Sequence, residues 1–268
     1  MYQHQAYSHR DKIKIYQEET NNMALISTLT LEDMISLHDE IAESARRCSS
    51  LEEAAQAYMS ILYENLSESI VLARIFATIP YMKLPEDIKG YVTNQVDLAG
   101  VSDKLKDTTL VLTLLGTRGA DHFWDDRHNS RGHVGIPLVS RDFIDSMPMP
   151  VLLLRQLGID LDWIDDDNAN LILRTSGRLS GVFYVQDAGS EIDEKNRRII
   201  TSEDFVNQWK VKTVFGIGGS YLGSTTIFTT VIFVRETLER DIVDRFMLQA
   251  DKFKTATMGI TYNGKIFS

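Results

Sequence analysis

Apolar positions recur along the chain first at helical spacing and then in alternation. Residues 1–28 are polar and weakly patterned, which predicts an arm or irregular lead-in. Thr30 and Asp33 then mark a helix start, followed by Ile35, Leu37, His38, Ile41 and Ala42. Ser50 and Glu53 form the S-x-x-E signature of a capping box, in which each side chain satisfies an orphan backbone donor of the other. Behind it Ala54, Ala55, Tyr58, Ile61, Leu62 and Leu66 fall three and four apart, an amphipathic helix. The pattern then shortens. Residues 69–79 and 108–115 are brief and rich in β-branched side chains, which predicts strands. The stretch between them reads as a connection, with a short helix over 85–96.

A polar loop is expected over 116–135. Ser140 is placed to cap a short helix, and Pro148 and Pro150 end it and begin another that stops at Gly158. Further strands are predicted over 169–175, 181–187, 211–217 and 226–235, with a charged loop at 188–199 and a short helix over 202–209. One closing helix is expected from about residue 237 to 257, with a stripe of Leu238, Ile242, Phe246, Met247, Ala250 and Phe253. The pattern thus predicts an arm over 1–28 and one α+β domain over 29–268, its central antiparallel sheet flanked by N- and C-terminal helices.

Composition narrows the function classes. The 268 residues are 43% hydrophobic and 25% charged, enough apolar material for a core. No apolar run reaches the roughly 18–20 residues of a membrane span, and no signal-peptide core is present, so the expected location is the cytoplasm. A net charge of −10, with scattered cations, argues against nucleic-acid binding. The single cysteine, Cys48, permits no internal disulfide and no CxxC site. Arg46 and Arg47 beside it would lower its pKa if it were exposed; a small helical residue near a turn is the simpler reading.

The stretch LLGTRGADHFWDDRHNSRGHVGIPL holds the densest chemistry, with three of the six histidines. Three readings stand. A structured loop would use Asp125 and Asp126 to cap amides and pair with Arg127 or Arg131. A pocket wall would stack Trp124 on a ligand and turn Arg127 and Arg131 toward its anionic group. A metal centre would draw on His122, His128, His133 and Asp125, although their spacing matches no helical ligand pattern such as HExxH.

Other motifs fail their chemical tests. FGIGGSYLG (215–223) has Tyr221 where a dinucleotide fingerprint needs its third glycine, and a β-branched run follows instead of a helix. Its glycines therefore predict a hairpin or bulge. No GK[ST] and no GxSxG is present. The acidic cluster Asp160, Asp162, Asp165, Asp166 and Asp167 lacks the glycine and terminal glutamate of a calcium loop. Strand alternation turns Arg74, Arg174, Tyr184 and Lys212 inward, and a buried cation calls for a carboxylate partner, such as Asp187 or one on a ligand.

The entering helix SSLEEAAQAYMSILYENL, the strands SIVLARIFATI and TTIFTTVIFV, the glycine turn FGIGGSYLG and the closing helix ending near Thr257 together resemble GAF-like sensory domains of bacterial signalling proteins. The histidine-rich loop and the proline-split helices depart from that pattern. The resemblance implies a central antiparallel sheet with a pocket on one face, and helices that signal to a partner or across a homodimer. It also implies a free-standing sensor, an accessory subunit or a piece of a longer signalling chain. Binding is accordingly expected rather than catalysis, with Trp124, Arg127, Arg131, Arg174 and Tyr184 as candidate ligand residues. The cofactor is left open. A metal-dependent enzyme and a non-catalytic scaffold are the alternatives.

Overall fold

A computed structural model of the chain describes residues 24–130, 132–159, 161–164 and 180–268. Its described strands are β1 (Ile70–Pro80), β2 (Leu110–Gly119), β3 (Gly135–Pro137), β4 (Ser180–Val185), β5 (Thr213–Ser220) and β6 (Ile227–Val234). They form one antiparallel sheet in the order β3-β2-β1-β6-β5-β4, with β1 and β6 at the centre. Helices α1 (Leu31–Arg46) and α2 (Leu51–Leu66) precede β1, and α3 (Glu86–Leu98) joins β1 to β2. The short α4 (Arg141–Asp145), α5 (Pro148–Gln156) and α6 (Glu203–Trp209) follow, and α7 (Arg240–Asp244) and α8 (Met247–Tyr262) close the order.

Sequence sets these boundaries through ordinary chemistry. Thr30 Oγ1 accepts from the Asp33 amide at 3.2 Å while the Asp33 carboxylate accepts from the Thr30 amide at 2.9 Å, so α1 begins on a reciprocal cap. At α2 the exchange is one-sided. Ser50 Oγ accepts from the Glu53 amide, but the Glu53 carboxylate takes the amide and hydroxyl of Ser49 instead. Ser140 caps α4, and α5 carries Pro148 and Pro150 in its first turn, where a missing N–H costs nothing.

The alternation along the strands separates two cores. On one face Ala73, Ile75, Phe215, Ile217, Phe228 and Ile232 meet α1, α2 and α8. Tyr58, Phe246 and Phe253 are among the side chains this layer buries completely. Each such side chain contributes about 1.5–3 kcal/mol of burial. On the other face Leu72, Phe76, Leu112, Val231 and Phe233 meet α4, α5 and α6. A bulge lets the sheet hold this parity: Ile75 pairs with Gly116 and Phe76 with Leu114, leaving Leu115 as the extra residue.

Three expectations need correction. The polar loop is shorter than 116–135, because β2 runs on to Gly119 and β3 begins at Gly135. The closing helix is two helices, α7 and α8. At their joint Phe246 is buried against the Phe215 ring, 5.1 Å between centroids. The glycines of FGIGGSYLG divide: Gly223, at φ +73°, makes the expected hairpin turn between β5 and β6, but Gly216, Gly218 and Gly219 lie inside β5, where a Cβ on Gly216 would stand 1.9 Å from the Thr230 carbonyl oxygen of β6. The predicted strand over 169–175 falls outside the described residues. Among the described residues no helix is long and apolar enough to cross a membrane.

Candidate functional site

The second face of the sheet is not filled by its helices. A cavity of about 540 Å³ lies there, within the range of small-molecule sites. Its floor is the sheet itself, through Leu72, Arg74 and Phe76 of β1, Leu112 of β2, Ile136 of β3, and Val231 and Phe233 of β6. One wall is the β2–β3 loop, which brings Trp124, Gly132 and His133. A second is the start of α5, residues 146–150 with Leu153. The third is the approach to α6, residues 199–202 with Phe205.

Trp124 holds the loop in place. It sits on a 3-10 turn (His122–Trp124) started by Asp121, whose carboxylate accepts from the Phe123 amide. Its ring packs on Trp209 at 5.1 Å and edge-on against Phe205 at 5.7 Å, and Phe205 meets Phe233 at 5.2 Å. This aromatic group ties the loop, α6 and the sheet together at one end of the cavity. A Cβ on Gly119 would stand 2.8 Å from the Trp124 ring, so a side chain there would displace the indole.

Arg74 is the polar residue of the floor. It lies on the central strand, with apolar Leu72 and Phe76 on the same face, and its Nη2 donates to Ser130 Oγ at 3.1 Å. Burial pulls its pKa down to about 10, so the guanidinium stays charged at neutral pH. His133 sits at the mouth, open to solvent on one side. Loss of hydration and then the charge of Arg74 lower its pKa.

The other sequence candidates are dispersed. Arg127 turns away from the cavity to the opposite side of the sheet, where it is 8% exposed and pairs with Glu52 at the start of α2, itself 7% exposed. Its guanidinium also lies 5.6 Å over Phe267 and 3.4 Å from Asp87. Tyr184 faces the helical layer; its hydroxyl donates to the Leu238 carbonyl at 2.7 Å, and Arg240 stands over its ring. Arg131 and Arg174 fall outside the described residues. His122 pairs with Asp121, His128 with Asp126, and Asp125 with Arg118, each near the surface and apart from His133. Among the described residues no three His, Cys, Asp or Glu side chains converge as a metal site. Cys48 donates to the Ser44 carbonyl, and burial raises its pKa, which leaves it a helix-end residue and not a nucleophile.

Of the residues singled out from sequence, Trp124, named for a pocket wall, and His133, named only as a metal candidate, line this cavity; Arg74 was not placed in the ligand set. Sequence reading also missed Met147, Met149, Phe205 and the hydroxyls of Thr201 and Ser202. Arg74 alone carried a signal, as a cation inside an alternating apolar strand.

Fold and cavity together define an α+β protein with a ligand-sized space between one sheet face and a long loop. No family model matches the chain, and no curated protein matches it. Among solved structures it is similar to the phycoerythrobilin-bound GAF domain of a cyanobacterial phytochrome: 10% identical, covering 88% of this chain and 100% of that one, TM-score 0.42. The phycocyanobilin-bound GAF domain of a cyanobacterial phytochrome is also 10% identical, over 88% of this chain and 98% of that one, TM-score 0.41. A third is the chromophore-binding domain of a bacteriophytochrome from R. palustris: 7% identical, over 87% of this chain and 62% of that one, TM-score 0.41.

Proposed function

We propose that this chain is a GAF-like sensory module that binds a small organic molecule in the cavity and signals through its terminal helices. The observation that carries the reading is the cavity itself, an apolar space of about 540 Å³ on the sheet, closed at one end by the Trp124 group. A core face built only for stability packs to the density of an organic crystal and leaves few voids larger than a water molecule. Apolar walls with a few convergent polar groups are the usual make-up of a ligand site.

The path of the β2–β3 loop supports placing output in the layer of α1, α2 and α8. Trp124 holds one side of that loop in the cavity, and three residues later Arg127 is locked to Glu52 on the far side. Gln56 of α2 also donates to the carbonyls of Thr117 and Asp125, each at 2.9 Å. Movement of Trp124 on ligand entry is thus transmitted to the start of α2, and a ligand that prefers one arrangement shifts its population. Leu31 and Ile35, exposed one turn apart on α1, are where we place a homodimer or an output partner.

Native mass spectrometry of the purified protein tests the binding claim. The expected result is a non-covalent organic adduct that disappears in Leu112→Trp, which fills the cavity. A wild-type mass without adduct, together with no uptake of any apolar probe, contradicts it.

A further inference from the structure

The geometry points to an organic monoanion as the ligand of the cavity: a carboxylate or sulfonate on an apolar body, its charged end at Arg74 and its body along Leu112, Ile136 and Leu153. The inference rests on the small-molecule reading of the cavity and adds the chemical class.

Three observations carry it. Arg74 stands mid-strand on β1, opposite Thr117 of β2 and Val231 of β6, so its guanidinium lies in the floor of the sheet rather than at an edge. Placing a cation on such a surface is costly, and a planar guanidinium matches a carboxylate with two parallel donors. The remaining floor (Leu72, Phe76, Leu112, Ile136, Val231, Phe233) is apolar, and no Asp or Glu lines the cavity among the described residues. The described lining therefore sets one cation, Arg74, in apolar surroundings, which suits an amphipathic anion.

The same walls argue for one negative charge and against a phosphate. The helix start that faces the cavity, α5, has prolines at positions 148 and 150, which removes two amide donors from the turn a phosphate would use. His133, the other ionisable lining group, is held toward its neutral form by lost hydration and by Arg74. Among the described lining residues a dianion would therefore meet a single full positive charge. Met147 and Met149 line the wall opposite the floor, and their unbranched thioethers adapt to the shape of an apolar body.

Two fluorescent probes with the same ring skeleton separate the possibilities: 8-anilinonaphthalene-1-sulfonate, an anion, and N-phenyl-1-naphthylamine, which is neutral. Titration into wild type, Arg74→Met, Arg74→Lys and Leu112→Trp gives each dissociation constant, with circular dichroism as the check on folding. The expected result is at least tenfold tighter binding of the sulfonate by wild type, about 1.4 kcal/mol. That preference should vanish in Arg74→Met, persist in Arg74→Lys, and both probes should be lost in Leu112→Trp. Equal affinities in wild type, with both probes lost in Leu112→Trp, overturn the monoanion inference and leave the cavity reading standing. Failure of both probes to bind, or binding that Leu112→Trp leaves untouched, brings down the cavity reading and the inference with it. Displacement of the sulfonate by octanoate but not by 1-octanol, measured on wild type alone, supports the anion class without any variant; equal displacement by both counts against it.

Discussion

His38 is 1% exposed between α1 and α8, and neither ring nitrogen has a hydrogen-bond partner among the described residues. Burial, with the charge of Lys252 adding and that of Asp39 opposing, pulls its pKa from 6.5 to about 4. The unfolded chain therefore takes up this proton near pH 6.5, and the folded chain only near pH 4. Between these values the unfolded state binds more protons, so stability falls as pH falls, by on the order of 3 kcal/mol at most. Urea melts from pH 7.5 to 4.5 should show that loss, and His38→Phe should flatten it; an unchanged slope in the variant would assign the loss elsewhere. Among the described residues Gln249 and Tyr58 also bury polar atoms without partners in this layer, so the interface of α1, α2 and α8 is less fully satisfied there than an ordinary core. The Arg127–Glu52 pair is a second prediction at this scale. Arg127→Met leaves the buried Glu52 without its guanidinium, with only the Ser268 amide, among the described residues, still donating to it at 2.8 Å and His128 4.0 Å away, and should cost about 3–5 kcal/mol. The double variant with Glu52→Leu should recover most of that in the same melts.

At the scale of elements, β5 lies close against β6 at Gly216. Gly216 lies against the Thr230 carbonyl, and the Ile217 amide donates to Thr230 Oγ1 at 2.9 Å, so the ladder closes there through a side chain. Gly216→Ala should destabilise the fold by roughly 1–3 kcal/mol in urea, as forced overpacking does. A neutral outcome would mean that β6 can move aside. Elements were largely legible because their signals are local. Short β-branched runs gave β1 and β2, Thr30 and Ser140 gave helix starts, and the prolines gave α5. Local signals also explain the misses. At the joint Phe246 packs on Phe215, about thirty positions earlier, and β3 is three residues long. A pocket between the sheet and the 116–135 loop was expected, with Trp124 in its wall, but the rest of the lining was not legible: it joins Arg74 to residues 146–150 and 199–205 through the pairing of strands remote in sequence.

The whole molecule is a sheet with different work on its two faces. One face carries the cavity, and the other carries α1, α2 and α8, joined by the Lys252–Asp39 pair. The β2–β3 loop spans both, with Trp124 on one and Arg127 on the other. The C-terminal segment joins this junction, because the amides of Leu51 and Glu52 donate to the carbonyls of Lys265 and Ile266 at 2.9 and 2.8 Å. The Ser268 amide donates to Glu52 at 2.8 Å. Occupancy of the cavity should therefore be felt at the start of α2 and over residues 265–268, both remote from the ligand. Amide hydrogen exchange with and without saturating N-phenyl-1-naphthylamine measures this directly. Coupling across the sheet predicts slower exchange over residues 120–134 and 199–205, with altered exchange over 51–56 and 265–268. Protection confined to the cavity lining, with the helical layer unchanged, would contradict it.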